Sequence, residues 1–567
     1  MYLVFDYEIP FEVQFMRKVL YLIGIYLICG GSLSAQELIS SLKLEDFEFE
    51  DDLYPFADFD RNGTLAYVEF EPVALLEPGA FIQMWRKERK SSQKHYITRY
   101  NLLLEEAWTI EMELDWQEDI LHMFHNGEDL MVLTYEYDGL AGIHVIRNRS
   151  FDLDTGEENL KSIVFQYGGK SDQEVFFDFS PDDQTLTLFY YTRHKESRRV
   201  GIYYDYIKRN HEIGAKVFKP GNVVFNTYNR YLELQYKGEF ELPQSKMTWL
   251  DAQIDNQGNF YLLGLNKPTL LTAFCFDQKT ESLSTLTYER FVERQELNEA
   301  YFTHFPPTIS GHAKRIYIAH AEREIRGKLK GTQAFQIVSF DFDKEVVDLS
   351  RRIDINSSLL VTVEKQREDF GVPPLKRFDG FMIQEIIEMP DERLWLITQK
   401  FDAHQYAGTP SEFGPMAAQE HVIQEVVMYE FEPNGEIRQA LIVPSYQRSQ
   451  NLYEKAGEFY SYHLESETGI LSMMTREPSG DKLRGPDRLY TRMVNLNTSE
   501  VSNRKLVYEG QRRTQYFLRP YTVWHNNFLV SFVVLDGEQG EAWLVSVNLL
   551  GEPSEEKDEP RAKARRN

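Results

Sequence analysis

Cysteine is almost absent, positive charge is outnumbered, and no long apolar run occurs after residue 29. Cys29 and Cys275 are the two cysteines. Cys29 falls in a segment expected to be removed, so the final chain keeps a single thiol. That excludes an intrachain disulfide and a cysteine metal cluster. It leaves Cys275, in the run TAFCF, as a buried small hydrophobe. The net charge of −27 argues against a nucleic-acid binder, which must neutralise phosphates. No later stretch reaches the ~18 apolar residues of a membrane span. The sequence has no G-x-S-x-G elbow, no H-E-x-x-H, no Walker loop and no C-x-x-C-H. The missing elbow argues against an attached α/β-hydrolase peptidase.

Aromatics are plentiful: 33 Tyr and 38 Phe favour strands over helices. The clearest stretch is Thr248 to Glu289. It holds β-rich runs separated by the polar turns Asp255–Asn259 and Asp277–Glu281. Four such runs describe an antiparallel meander of four strands.

The same plan recurs. A first turn between β-rich runs is found near Asn62, Asn126, Pro181, Asn256, Gly311, Pro390, Thr468 and Asn526. A second turn follows each, near Leu104, Asp154, Lys208, Asp277, Asp343, Pro433, Asn497 and Leu550. Units of this kind bury their faces only by stacking, and radial stacking makes a β-propeller. The expected fold is all-β, with eight four-stranded blades and seven as the alternative. The last unit lacks a strand. Leu42 to Glu50 (LKLEDFEFE) alternates apolar with polar and is expected to supply it, closing the ring.

The chain divides into three. Residues 1–35 carry a signal peptide: Met16-Arg17-Lys18 is basic, Val19 to Cys29 is apolar, and small residues follow. The acidic stretch before Met16 does not fit a signal, so Met16 is the expected start. Residues 36–551 form the propeller. Residues 552–567 form a charged tail with no apolar residue beyond alanine and proline. The expected location is periplasmic, outer-membrane-associated or extracellular.

Three pieces carry a family likeness. FDFSPDDQTLTLFYYT (177–192) resembles the repeat of TolB-type propellers. DNQGNFYLLG (255–264) and PDERLWLIT (390–398) resemble repeats of bacterial NHL-like and sensor propellers. The resemblance implies the fold, not the function.

Candidate sites are of three kinds. Asp58, Asp60, Asn62, Thr64 and Glu69, with Gly63, match the spacing of an EF-hand calcium loop, but Pro55 and Pro72 deny it flanking helices. The stretch also fits a plain hairpin turn, so structural calcium is the one cofactor in view. Basic residues crowd the connections between the second and third strands of alternate units. Arg86, Lys87, Arg89 and Lys90 lie in the first, Arg193, Lys195, Arg198 and Arg199 in the third. With Glu322–Lys330 and Arg476–Arg488, these stretches hold seventeen Lys and Arg against seven Asp and Glu. Such a rim attracts an anionic partner, an acidic glycan or acidic protein surface. Third, Asp402 to His421 reads as a long strandless loop with His404, Tyr406 and His421, placed to touch a ligand. His122 and His125 fall on opposite strand faces and read as structural.

These features point to an exported binding scaffold for a protein or acidic glycan, with no nucleic-acid partner. The alternative is a propeller enzyme, hydrolase or lyase, with acids in its central funnel.

Overall fold

The computed structural model describes the strands and most turns between residues 38 and 548. Outside the described residues lie 1–37 and 549–567, the internal stretches 44–65, 291–306 and 450–459, most of 355–380, and shorter connections. Among the described residues are eight sheets of four to six strands and one two-stranded hairpin, all antiparallel. The repeat architecture is that of a β-propeller.

The fourth sheet shows why these residues form strands. Its strands are Met247–Ile254, Phe260–Leu265, Leu270–Asp277 and Ser282–Glu289. They pair in chain order, as the meander pattern requires. The second strand reads as a continuous apolar run because both its faces are covered. Phe260 and Leu262 pack toward the third sheet, Tyr261 and Leu263 toward the fifth. The outer strand Ser282–Glu289 alternates exposed and half-buried residues instead. Cys275 is buried in this sheet, as expected.

From the first to the seventh, each sheet packs on the next through such clusters. First meets second through Ile97, Met112 and Leu130. Second meets third through Leu133, Phe165 and Leu188. Fifth meets sixth through Tyr317, Phe335 and Tyr429, and sixth meets seventh through Trp395, Met428 and Met473. His463 of the seventh stacks on Trp524 of the eighth at 6.2 Å. Thr522–His525 of the eighth lies against Val73–Ala74 of the first.

The eighth sheet takes its fourth strand from the other end of the chain. Leu38–Lys43 pairs with Glu541–Asn548, Leu42 opposite Leu544. The strand thus starts earlier than the expected Leu42–Glu50, whose residues 44–50 lie outside the described part.

Two expectations are corrected. The third sheet is Val175–Phe179, Thr185–Tyr191, Asn222–Asn229 and Leu234–Glu241. Its second turn is therefore at Asn229–Glu233, not near Lys208. Lys208 belongs to an insertion whose strands, Arg198–Tyr203 and Gly214–Phe218, join the fourth sheet. Asp402 to His421 is not strandless either. Leu394–Tyr406 and Ala418–Phe431 pair along their length as a ribbon, from Leu394 opposite Phe431 to Tyr406 opposite Ala418. A small hairpin, Pro410–Ser411 with Gly414–Pro415, follows the first of these strands. Strand-forming residues at the borders of the segment (Phe401, Val422, Ile423) carried the signal; the glycines and prolines between them masked it.

Candidate ligand-binding face

Strand direction gives the repeat two unlike ends. First-to-second and third-to-fourth turns share one end, here the turn face. Second-to-third connections and the links between sheets share the other, the loop face.

The turn face is short and stitched together. The Asp182 amide donates to Asn256 Oδ1 at 3.1 Å, and Asn256 Nδ2 to the Gly311 carbonyl at 3.4 Å, joining third, fourth and fifth sheets. Ser310 Oγ, Tyr317 OH and the Gly311 amide donate to the Glu388 carboxylate at 2.9, 2.8 and 3.0 Å, joining fifth to sixth. Arg393 Nη2 reaches Asn497 Oδ1 at 3.0 Å, joining sixth to seventh. Arg99 Nη1 and Trp108 Nε1 both donate to the Leu153 carbonyl, joining first to second. Left-handed residues close the turns, among them Asp183, Glu281, Glu392 and Gly258.

Buried acids on this face serve the stitching. Asp255 is 0% exposed and takes hydrogen bonds from Tyr261 OH, Asn259 Nδ2 and the amides of Gln257 and Asn259. Burial raises its carboxyl above the usual range, against the pull of those donors. Burial likewise lifts the Tyr261 hydroxyl and pushes the Cys275 thiol up to about 12. Arg315 holds Asp341 at 2.8 Å.

The loop face carries the long elements. Arg86, Lys87 and Arg89 stand at the loop-face end of Phe81–Arg89, where Lys87 lies directly opposite Lys94. Lys94 is held by Glu111, whose hydrogen bond raises the ammonium above its ordinary value. Arg198 and Arg199 lie on the inserted hairpin, opposite Val217 and Lys216. In the ribbon, His404 pairs with Glu420 and His421 with Ala403. The register therefore puts His404 and Tyr406 on one ribbon face and His421 on the other. Lys90, Arg193 and Lys195 lie outside the described residues, as do Asp58, Asp60, Asn62, Thr64 and Glu69. Among the described residues no group of three or more His, Cys, Asp or Glu could hold a metal.

No protein family matches the sequence, and no curated protein is similar to it. Solved structures with similar shape are propellers. The WD40 domain of SCAP from fission yeast is 9% identical, covers 86% of this chain and 97% of its own, and has a TM-score of 0.34. The Nup133 β-propeller domain of Vanderwaltozyma polyspora is 6% identical, with coverage of 76% and 100% and a TM-score of 0.35. A PL25 ulvan lyase bound to -[GlcA(1-4)Rha3S]- is 10% identical, with coverage of 74% and 91% and a TM-score of 0.33. Likeness at this level assigns no function.

Sequence reading missed two features. A column of rings lies between second and third sheets at the loop face. Tyr137 meets His144 at 4.6 Å, His144 meets Tyr167 at 4.4 Å, and Tyr167 meets Tyr190 at 4.1 Å. Tyr135 OH is 2.6 Å from His144 Nδ1. Tyr137, His144 and Tyr167 lie on consecutive strands of the second sheet and Tyr190 on the third, so the column forms only once those strands pair and the two sheets pack; Tyr135 and Tyr137, two apart on one strand, were its only hint. Second, charge is buried on this side of the repeat: Glu118 accepts from Thr134 Oγ1 at 2.5 Å, and Lys400 lies 5.9 Å over the Phe381 ring. His122 packs on Phe177 and Phe179 of the third sheet and is structural, as read.

Proposed function

We propose that this chain is an exported, closed, eight-bladed β-propeller that works as a binding scaffold for a protein or acidic glycan partner. One observation carries the reading: the two faces differ. The turn face spends its polar groups on neighbouring sheets. The loop face holds the ribbon, the inserted hairpin and the basic strand ends. Elements that lengthen one face of a rigid repeat without serving its core are suited to recognition. The pairing of Leu38–Lys43 with Glu541–Asn548, and the contact between eighth and first sheets, support closure. Export rests on residues 16–35, and the place of action is periplasmic, outer-membrane-associated or extracellular.

The scaffold reading is favoured over a glycan hydrolase or lyase because Asp255, Asp341 and Glu388 are engaged by structural donors. The test has two arms. Residues 36–567 are presented to neutral and acidic glycans at low and high salt, and crosslinked in the envelope of the native cell. Saturable binding that falls when residues 401–423 are replaced by a short turn, with thermal stability kept, supports the reading. New reducing ends or unsaturated sugars released by the purified chain would overturn it.

A further inference from the structure

An open sheet edge is a template for pairing, and natural edges are guarded by charge, by bulges that shift the register, or by shortness. The outer strands of the described sheets carry such guards, with one exception. Glu106–Leu114 has three glutamates and a register shift. Glu158–Gly168 has Glu158, Lys161 and two register shifts. Leu234–Glu241 has Lys237, Glu239, Glu241 and one shift. Ile437–Val443 has Arg438 and one shift, and its last four residues are buried. The outer pieces of the fifth and seventh sheets are two to five residues long. Leu38–Lys43 of the eighth has a shift and ends on a lysine.

Ser282–Glu289, the outer strand of the fourth sheet, is the exception. It pairs with Leu270–Asp277 in unbroken register, from Asp277 opposite Ser282 to Leu270 opposite Glu289. From Ser282 to Tyr288 it reads SLSTLTY, with no charge and no proline. Among the described residues no strand pairs on its other side. Leu283 packs toward the third sheet, Leu286 and Tyr288 toward the fifth, so the strand is firmly seated. Ser282, Ser284, Thr285 and Thr287 are exposed. The flanking sheets add exposed apolar side chains at the same end of the repeat. Leu234 begins the outer strand of the third sheet, and Val346 begins that of the fifth, which lies against Ser282–Glu289.

We propose that this edge takes up an extended segment of another protein as a further antiparallel strand. Main-chain hydrogen bonds hold such a segment, and its alternate side chains meet the flanking sheets. Charge chooses the occupant. Exposed Glu281 and Glu289 stand at the two ends of the uncharged run, in a chain of net charge −27. The segment is therefore neutral along its middle and carries Lys or Arg at its ends. A second copy of this chain is the poorer fit, because self-pairing about Thr285 sets Glu281 opposite Glu289 twice. This inference rests on the scaffold reading, takes its protein alternative, and adds a rim site to the loop face.

The test uses the full chain and the capped peptide KVTVTVTVK, with EVTVTVTVE and the proline-broken KVTPTVTVK as comparisons. The lysine-ended peptide binds in fluorescence anisotropy, the other two at least about tenfold more weakly. On binding, amide exchange in Ser282–Glu289 slows by about tenfold or more, while Glu158–Gly168 stays unchanged. Ser284→Lys with Thr285→Lys guards the edge and weakens binding about tenfold, with the melting temperature kept. Ser284→Asp with Thr285→Asp weakens it as well, although its charge is opposite to the peptide's. Gln166→Lys, on the guarded outer strand of the second sheet, changes nothing. Affinity that rises with the aspartates and falls with the lysines is plain charge attraction and overturns strand addition. No binding of the lysine-ended peptide at about 1 mM also overturns the inference, and leaves the scaffold reading to its own loop-face test. Dimerisation of the wild-type chain that the lysine pair abolishes makes the occupant a second copy, and overturns the choice of partner.

Discussion

Glu388 is the sharpest place to test the stitching of the turn face. Its carboxylate takes three donors from the fifth sheet: Ser310 Oγ, Tyr317 OH and the Gly311 amide. Ser310 and Tyr317 are both 0% exposed, so water does not replace the lost acceptor. A hydrogen bond to a charged group is worth about 1.5–3 kcal/mol, and the three are not additive. Glu388→Ala is therefore expected to cost about 3–5 kcal/mol. Glu388→Gln keeps one carbonyl acceptor and sets an amide donor against another donor, for about 1–2 kcal/mol. A repeat array need not unfold in one step, so a single midpoint is a poor readout. Amide hydrogen exchange resolved by peptide is better. In Glu388→Ala, protection in Arg315–Arg323 and Phe381–Glu388 falls by about a hundredfold or more, at ~1.4 kcal/mol per tenfold. Peptides of the second sheet stay unchanged. A loss below about 0.5 kcal/mol at the fifth and sixth sheets would refute the claim that these bonds hold the sheets together.

Three further outcomes are expected. A Cβ at Gly238 would lie 2.2 Å from Phe225 Cζ, and Phe225 is fully buried, so Gly238→Ala destabilises the third sheet by about 1–3 kcal/mol, measured by urea unfolding. Asp341 loses solvation on burial, yet donors from Lys344 and Arg315 outweigh that and hold its carboxyl below the usual 3.8. Its stabilising contribution is therefore complete above 3.8 and is lost as pH falls through the lowered value, and Asp341→Asn should shallow the acid limb of a stability–pH curve. Cys275 is 2% exposed with its thiol pushed up to about 12, so a disulfide reagent at pH 8 should label it only as fast as the chain opens. Rapid labelling of the folded chain would contradict the buried placement.

The repeat was legible because each unit writes it twice, once in apolar runs and once in turns. Asp255-Asn256-Gln257-Gly258 marks a turn by backbone chemistry alone, and the strands on either side follow. The third sheet was harder. Its insertion between Tyr191 and Asn222 carries strand-forming residues of its own, and local pattern does not say which sheet a strand will join. The ribbon failed for the opposite reason: Gly408, Pro410, Gly414 and Pro415 read as loop in the sequence, yet the strands on either side, Leu394–Tyr406 and Ala418–Phe431, pair along their length. The acids and donors of the turn face were visible as turn residues, but their partners lie in neighbouring sheets. Asp182 meets Asn256, and Gly311 meets Glu388, through the packing of sheets rather than through any spacing along the chain. In the ring column only the meeting of Tyr167 with Tyr190 crosses between sheets; the rest follows from strand pairing within the second.

The pairing of Leu38–Lys43 with Glu541–Asn548 has a consequence for how the molecule is made. Leu38–Lys43 must wait for Glu541–Asn548, some five hundred residues later, before it finds its partner. Contacts between chain ends form slowly because loop closure comes before any gain from pairing. Until then the eighth sheet presents an open edge and a stray strand, both open to pairing with other chains. A chain cut before Glu541 would never complete the pairing.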